Sequence, residues 1–108
     1  MNKSEKFDPS MQELSRFAKV LSHPARLAIL RYLSDTKVSI SGDISGSLPL
    51  SRTTISQHLV ELKELGLIES QIDGLKIIYR LNQKKIGRYC ELLEEFFENI
   101  NQHQNLPK

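Results

Sequence analysis

The chain has 108 residues, of which 39% are hydrophobic and 26% charged, and its formal net charge is +2. These values predict one soluble domain with a core of its own, and they exclude a disordered or fibrous protein. No apolar run approaches the roughly 18 residues that a membrane span requires. The polar start does not read as a secretory signal, so we expect a cytoplasmic protein.

The charge is unevenly distributed along the chain. Residues 1–90 carry 14 Lys and Arg against 9 Asp and Glu, whereas residues 91–108 carry one Lys against four Glu. The basic body is compatible with nucleic-acid binding but does not establish it. Cys90 is the only cysteine, which excludes an intrachain disulfide.

Apolar residues at spacings of three and four predict a first amphipathic helix; they are Met11, Leu14, Phe17, Ala18 and Leu21. A second helix follows in SHPARLAILRYLSD. There Ser22 is a candidate N-cap and Pro24 suits the first helical position. Either Leu27, Leu30 and Leu33 or Ala28 and Ile29 supply its core face, and Arg26 and Arg31 lie off that face.

A short third helix is expected to begin at Ser41 or Gly42 and to end near Pro49. Ser51 is a good N-cap for a fourth helix, which Gly66 closes as a left-handed residue.

Two strand-like runs, LIESQI and KIIYRL, flank Asp73-Gly74 and predict a β-hairpin. A wide apolar stripe then predicts a last helix; its members are Ile86, Tyr89, Cys90, Leu93, Phe96, Phe97 and Ile100. The order is four helices, a hairpin and a helix, which is a mainly α fold with a small β-hairpin.

The fourth helix changes character along its length. On a helical wheel, Ile55, Leu59 and Leu62 form one apolar side. The opposite side begins with uncharged polar groups, which can bond base edges, and the helix N-terminus favours phosphate. This arrangement predicts a helix-turn-helix recognition helix followed by a wing. The alternative is a surface helix whose Ser and Thr serve only its N-terminus.

Eight residues at the start of the recognition helix and on the second wing strand are predicted to contact DNA. They are Ser51, Arg52, Thr53, Thr54, Ser56, Gln57, Lys76 and Arg80. Solvated surface lysines are the alternative for the wing.

Two segments, LSHPARLAILRYL and LSRTTISQHLVELKELGLIESQIDGLKIIYRL, resemble the ArsR family of bacterial winged helix-turn-helix repressors. The second contains Ser-x-His-Leu, Leu-Gly-Leu and Gly-x-x-x-x-Tyr-x-Leu, and the likeness spans about residues 11–100. The resemblance implies a homodimer joined through its first and last helices. It also implies binding to a pseudo-palindromic operator in double-stranded DNA and repression until a signal releases the protein.

The apolar stripe of the last helix independently favours a dimer, because a large exposed apolar patch usually marks an interface. The predicted interface comprises Met11, Leu14, Phe17, Leu21, Tyr89, Leu93, Phe96, Phe97 and Ile100. The alternative is that the helix folds back on its own body.

Many members of the resembled family sense metals. Alignment with the ligand spacing on the family's last helix places Arg88, Cys90, Asn101 and Gln104 at the ligand positions. This set suits zinc poorly, so we expect no metal and no other cofactor. We expect Cys90 to be a buried, inert thiol. His58 is expected to have a packed, hydrogen-bonded structural role at the core edge, and His103 to be solvated.

We expect a flexible segment at residues 1–8, a DNA-binding and dimerisation domain over 9–101, and a frayed tail at 102–108. The predicted function is a sequence-specific transcriptional regulator, a dimeric ArsR-type repressor whose effector is unknown. One alternative is a ligand- or metal-responsive sensor with a non-standard effector site. Another is a winged helix that contacts proteins without binding DNA. The sequence has no nucleophile–base pair or phosphate-cradling glycine loop, so we do not expect an enzyme.

Overall fold

A computed structural model of the chain describes residues 6–102. The elements run in the order α1 (Pro9–Leu21), α2 (Pro24–Thr36), β1 (Val38–Ile40), α3 (Ser41–Ser47), α4 (Arg52–Leu65), β2 (Ile68–Asp73), β3 (Lys76–Leu81) and α5 (Gln83–Gln102). The mainly helical winged helix-turn-helix fold with a β-hairpin is confirmed. No helix in this part of the chain is long and apolar enough to cross a membrane.

Several expectations fall on residues that the structure does not describe. They concern most of the predicted flexible segment at 1–8, nearly all of the predicted tail at 102–108, and both His103 and Gln104. Asp8 is the N-cap of α1, and its carboxylate accepts a hydrogen bond from the Ser10 backbone at 2.8 Å.

The sheet contains one strand that the sequence did not predict. β1 pairs antiparallel with β3, so the three-stranded sheet has the order β1-β3-β2. Only three residues long, β1 carries too little periodicity to be recognised alone. Its position depends on β3, because Ser39 faces Tyr79 across the ladder.

The predicted caps of α4 are confirmed. The Ser51 hydroxyl accepts from the Thr54 backbone at 3.2 Å, and Gly66 ends the helix with φ of 89°. The predicted cap of α2 is wrong. His23 occupies that position, and its Nδ1 accepts from the Ala25 backbone at 3.1 Å. Ser22 instead closes α1, because its hydroxyl donates to the Lys19 carbonyl at 2.6 Å.

The wing turn lies one residue later than the sequence indicated. Asp73 pairs with Lys76, which leaves Gly74 and Leu75 as the two turn residues. Gly74 takes a φ of 64°, so glycine suits this first turn position.

The core lies between the helices and the inner face of the sheet. It is formed by apolar side chains from every helix and from the start of β2: Phe17, Ile29, Leu33, Ile44, Ile55, Leu59, Leu62, Leu67, Ile68, Tyr89 and Leu92. Helix α4 contributes three of these residues, so its buried side is fixed against the rest of the domain.

Candidate nucleic-acid interface

Helices α3 and α4 form the helix-turn-helix. A tight connection joins them, with the Leu50 backbone N–H donating to the Leu48 carbonyl at 2.8 Å. The Arg52 guanidinium lies over α3, since a Cβ built on Gly42 would meet its Nη2 at 3.8 Å. The entry of α4 is therefore packed against α3 while Arg52 stays exposed.

The start of α4 presents the predicted polar face. The exposed members are Ser51, Arg52, Thr53, Ser56 and Gln57. Ile55, Leu59 and Leu62 are buried beneath them. A helix with one side buried in the core and an exposed face at its N-terminal end has the arrangement of recognition helices that bind in the major groove.

Thr54 differs from the other predicted contacts. It is half-buried, and its Oγ1 lies 2.9 Å from the Ser51 hydroxyl, which donates to it. Both hydroxyls therefore take part in the cap of α4.

The predicted wing residues occupy different surroundings on β3. Lys76 is exposed beside the turn. Arg80 lies further along the strand, and its Nη2 is 3.1 Å from Oε2 of Glu69 on β2. Leu75 at the turn is fully exposed, and behind it Ile72 is 77% exposed and Ile77 41% exposed. The sequence did not predict this apolar wing tip, although Leu75 directly after Asp73-Gly74 was a visible signal.

Arg26 holds the recognition helix on its buried side, a role that the sequence did not predict. Its Nε donates to the Val20 carbonyl of α1, and its Nη1 donates to Oε2 of Glu61 on α4. The expectation that Arg26 lies off the core face is only partly correct, because the residue is half-buried. Its side chain is 12% exposed, because it reaches across to two other helices. The sequence signal for this role was the Pro-x-Arg motif, which ends at Arg26.

His58 packs at the edge of the core, as expected, on the same helix as the polar face. It is 8% exposed, and its Nδ1 lies 3.3 Å from Nη1 of Arg26. Among the described residues its Nε2 is buried without a hydrogen-bond partner. Burial lowers the pKa of His58 below its usual 6.5, nearby His23 and Arg26 lower it further, and Glu61 opposes them.

The predicted dimer residues separate into two groups. Phe17 and Tyr89 are 6% and 4% exposed because they belong to the core of the single chain, so they are not available to a partner. The expected interface therefore does not include these two residues. The other members remain at least partly exposed along α1 and α5: Met11, Leu14, Leu21, Leu93, Phe96, Phe97 and Ile100.

The expectation that Cys90 is buried is wrong, because the thiol is exposed. Cys90 lies two turns before Phe97 on the same side of α5, which a single chain leaves open. Tyr89, one position earlier, turns towards the core instead. Within residues 6–102, no three His, Cys, Asp or Glu side chains converge into a group suited to a metal.

Comparison with known proteins agrees with this geometry. Residues 23–70 match the family described as "Bacterial regulatory protein, arsR family". The biofilm growth-associated repressor of Agrobacterium fabrum is 33% identical over 85 residues, which cover 79% of this chain and 72% of that protein. The HTH-type transcriptional regulator YgaV of Escherichia coli is 29% identical over 97 residues, covering 90% and 98%.

Among solved structures, an ArsR-like transcriptional regulator from Rhodococcus sp. RHA1 aligns with a TM-score of 0.78 at 27% identity. The alignment covers 89% of this chain and 90% of that one. The chain belongs to the ArsR family of bacterial regulatory proteins and is a DNA-binding transcriptional regulator.

Proposed function

We propose that this regulator is a homodimeric repressor that inserts the start of α4 into the major groove of a pseudo-palindromic operator. The observation that carries the proposal is the exposed polar face of α4 above its buried apolar side. Gln57 can bond adenine through two hydrogen bonds, and the exposed Thr53 and Ser56 hydroxyls can donate or accept. These three residues are the proposed readers of base sequence.

Basic residues around this face supply the proposed phosphate contacts. Arg52 stands at the entry of α4, and Lys76 is exposed on the wing. Arg80 joins them when its guanidinium leaves Glu69 for a phosphate. Contacts of this kind hold the protein on DNA without reading sequence, and they make affinity depend on salt.

Dimerisation through α1 and α5 is supported by the apolar surface that one chain leaves open. Phe97 is 50% exposed, and Met11, Leu93 and Ile100 are also exposed. Covering these side chains removes apolar area from water, which favours association. A two-fold axis between the subunits would place two α4 helices about 34–36 Å apart, one turn of DNA.

We assign the cytoplasm as the location, residues 9–101 as the functional domain, and no enzymatic role. Repression is supported by the likeness to the biofilm growth-associated repressor of Agrobacterium fabrum. A winged helix kept only for protein contacts would form the same dimer, but it would not need an exposed polar face at the start of α4.

DNA binding tests the proposal directly. A duplex from the protein's own promoter region should bind with one dimer per site, and affinity should fall by orders of magnitude between about 50 and 200 mM salt. A promoter fusion should lose expression when the protein is present. A stable dimer without affinity for this DNA at low salt would support the protein-contact alternative, and increased expression would identify an activator.

A further inference from the structure

A cavity of about 560 Å³ lies where α1, α2, α4 and α5 meet. This volume falls within the range of small-molecule sites. The cavity is separate from the groove between α1 and α5 that contains Met11 and Leu14. A ligand could therefore enter it without competing for those two residues of the proposed dimer contact.

The cavity wall combines excess positive charge with an apolar surface. Its cations are Arg16, Lys19, Arg26 and Lys85, and its carboxylates are Glu13, Glu61 and Glu64. Arg26 and Glu61 form the only ion pair among these seven within residues 6–102. Val20, Leu65 and the buried Tyr89 supply apolar wall. This surface suits a molecule with an anionic head on an apolar body.

Arg26 is the natural anchor for such a head. Its guanidinium is held by the Val20 carbonyl, and its side chain is only 12% exposed. Its ion-pair partner Glu61 is 51% exposed, so that carboxylate can leave for water at little cost. A carboxylate ligand can then form the same charge-assisted hydrogen bonds to the guanidinium.

We propose that this cavity binds a small organic acid whose carboxylate replaces that of Glu61 on Arg26. Glu61 lies one helical turn after Gln57, so the exchange removes a contact that ties the recognition helix to α2. The ligand would thereby lower DNA affinity. This regulatory part rests on the proposed function, whereas the binding part does not.

Binding can be measured on the ¹⁵N-labelled full-length protein without DNA. The probes are benzoate and hexanoate, each compared with its uncharged amide at constant ionic strength. We expect the acids, and not the amides, to shift the backbone resonances of Lys19, Val20, Leu65 and Tyr89 saturably, with a Kd of about 1 mM. The proposal is overturned if neither acid shifts them at about 20 mM, or if the amides act equally.

Two variants separate the exchange from general electrostatics. Glu61→Gln removes the carboxylate that competes for Arg26, so it should tighten benzoate binding about fivefold or more. Glu64→Gln removes an equal charge from the same cavity without freeing Arg26, so its effect should stay under about twofold. Equal tightening by both variants would show that only net charge matters, and that result would overturn the exchange.

The regulatory part has its own measurement. Saturating benzoate should weaken DNA binding about fivefold or more relative to chloride at the same ionic strength. Unchanged DNA affinity in the presence of bound benzoate would overturn regulation by this cavity. Failure of benzoate to bind would leave the DNA-binding proposal standing, since promoter binding is measured without any ligand.

Discussion

Phe17 of α1 and Tyr89 of α5 stack face to face, with ring centroids 4.7 Å apart and 1° between the ring planes. Both rings are buried, so this contact fastens the first helix to the last within one chain. Tyr89→Ala should lower the free energy of unfolding by about 3–5 kcal/mol, because the ring leaves a cavity and Phe17 loses its partner.

The hydroxyl of Tyr89 should matter much less than its ring. It donates to the Leu65 carbonyl over a long 3.4 Å, so Tyr89→Phe should change the free energy of unfolding by about 1 kcal/mol or less. Urea unfolding at one fixed protomer concentration compares the two variants, since dimer formation would couple stability to concentration. Equal losses from both substitutions would contradict the stacking argument.

Gln57 and Arg52 should have different roles on DNA. Gln57→Ala should reduce the preference for the operator over random DNA by about 1–3 kcal/mol, because a base contact is lost. Arg52→Ala should weaken binding to both DNAs alike and reduce the salt slope by about 1. Fluorescence anisotropy titrations at several salt concentrations measure both effects.

Val60 provides the control for these two variants. It is exposed on the same helix but beyond the polar start, so Val60→Ala should leave affinity and preference close to the parent values. If Gln57→Ala weakens random DNA as much as the operator, then Gln57 does not read a base.

The ion pair between Arg80 and Glu69 should restrain DNA binding. Glu69→Gln frees the guanidinium for a phosphate and removes a negative charge, so DNA affinity should rise a few-fold and the salt slope should steepen by about 1. Stability should change by about 1 kcal/mol or less, since both groups are exposed. Asp73→Asn is the control, because it removes a charge from the same strand without touching this pair. Equal gains would assign the effect to net charge.

Features that depend on neighbouring residues could be predicted from the sequence. Ser51 and Gly66 bound α4 as expected, since a hydroxyl cap and a left-handed glycine act within one turn of the chain. The polar face of α4 followed from helical periodicity for the same reason.

Features that depend on distant partners could not be predicted. β1 forms because it pairs with β3, where Ser39 lies opposite Tyr79, forty residues later in the chain. Arg26 links α2 to the recognition helix only because the fold places Glu61 of α4 beside it. The exposure of Cys90 depends on how α5 rotates against α1, which its apolar stripe alone does not fix.

Stability should fall with acidification because of His58. Its pKa is lowered from 6.5, chiefly by burial, so the unfolded chain binds this proton at a higher pH than the folded chain. The contribution of His58 to the free energy of unfolding is therefore fully present above pH 6.5. It is lost as the pH falls through the lower pKa of the folded state. Arg26 and His23 strengthen the effect, and Glu61 reduces it.

Urea midpoints between about pH 7 and pH 5 measure this contribution. The pKa of Asp8 is lowered from 3.8, so Asp8 changes the stability only below about pH 3.8, outside that interval. His58→Gln should be less stable than the parent at pH 7, but its midpoint should depend less on pH. A parallel pH dependence in the parent and the variant would assign the loss to other groups.

The open apolar side of α5 should hold the dimer together. Phe97 is 50% exposed and meets Phe96 edge to face, with ring centroids 5.4 Å apart. Phe97→Glu places a charge where a partner would exclude water, so the protein should become monomeric at micromolar concentration. Val38→Glu is the matched control, because Val38 is 54% exposed but lies on β1, away from α1 and α5.

Sedimentation velocity measures the oligomeric state of each variant. Fluorescence anisotropy titrations measure its affinity for a full palindrome and for a single half-site. A dimer gains affinity on the palindrome because its two linked recognition helices bind both half-sites together. The monomeric Phe97 variant lacks this link, so it should bind the palindrome no better than the half-site. The Val38 variant should keep the preference for the palindrome. A monomeric parent protein, or a Phe97 variant that remains dimeric, would show that the subunits do not associate through this side of α5.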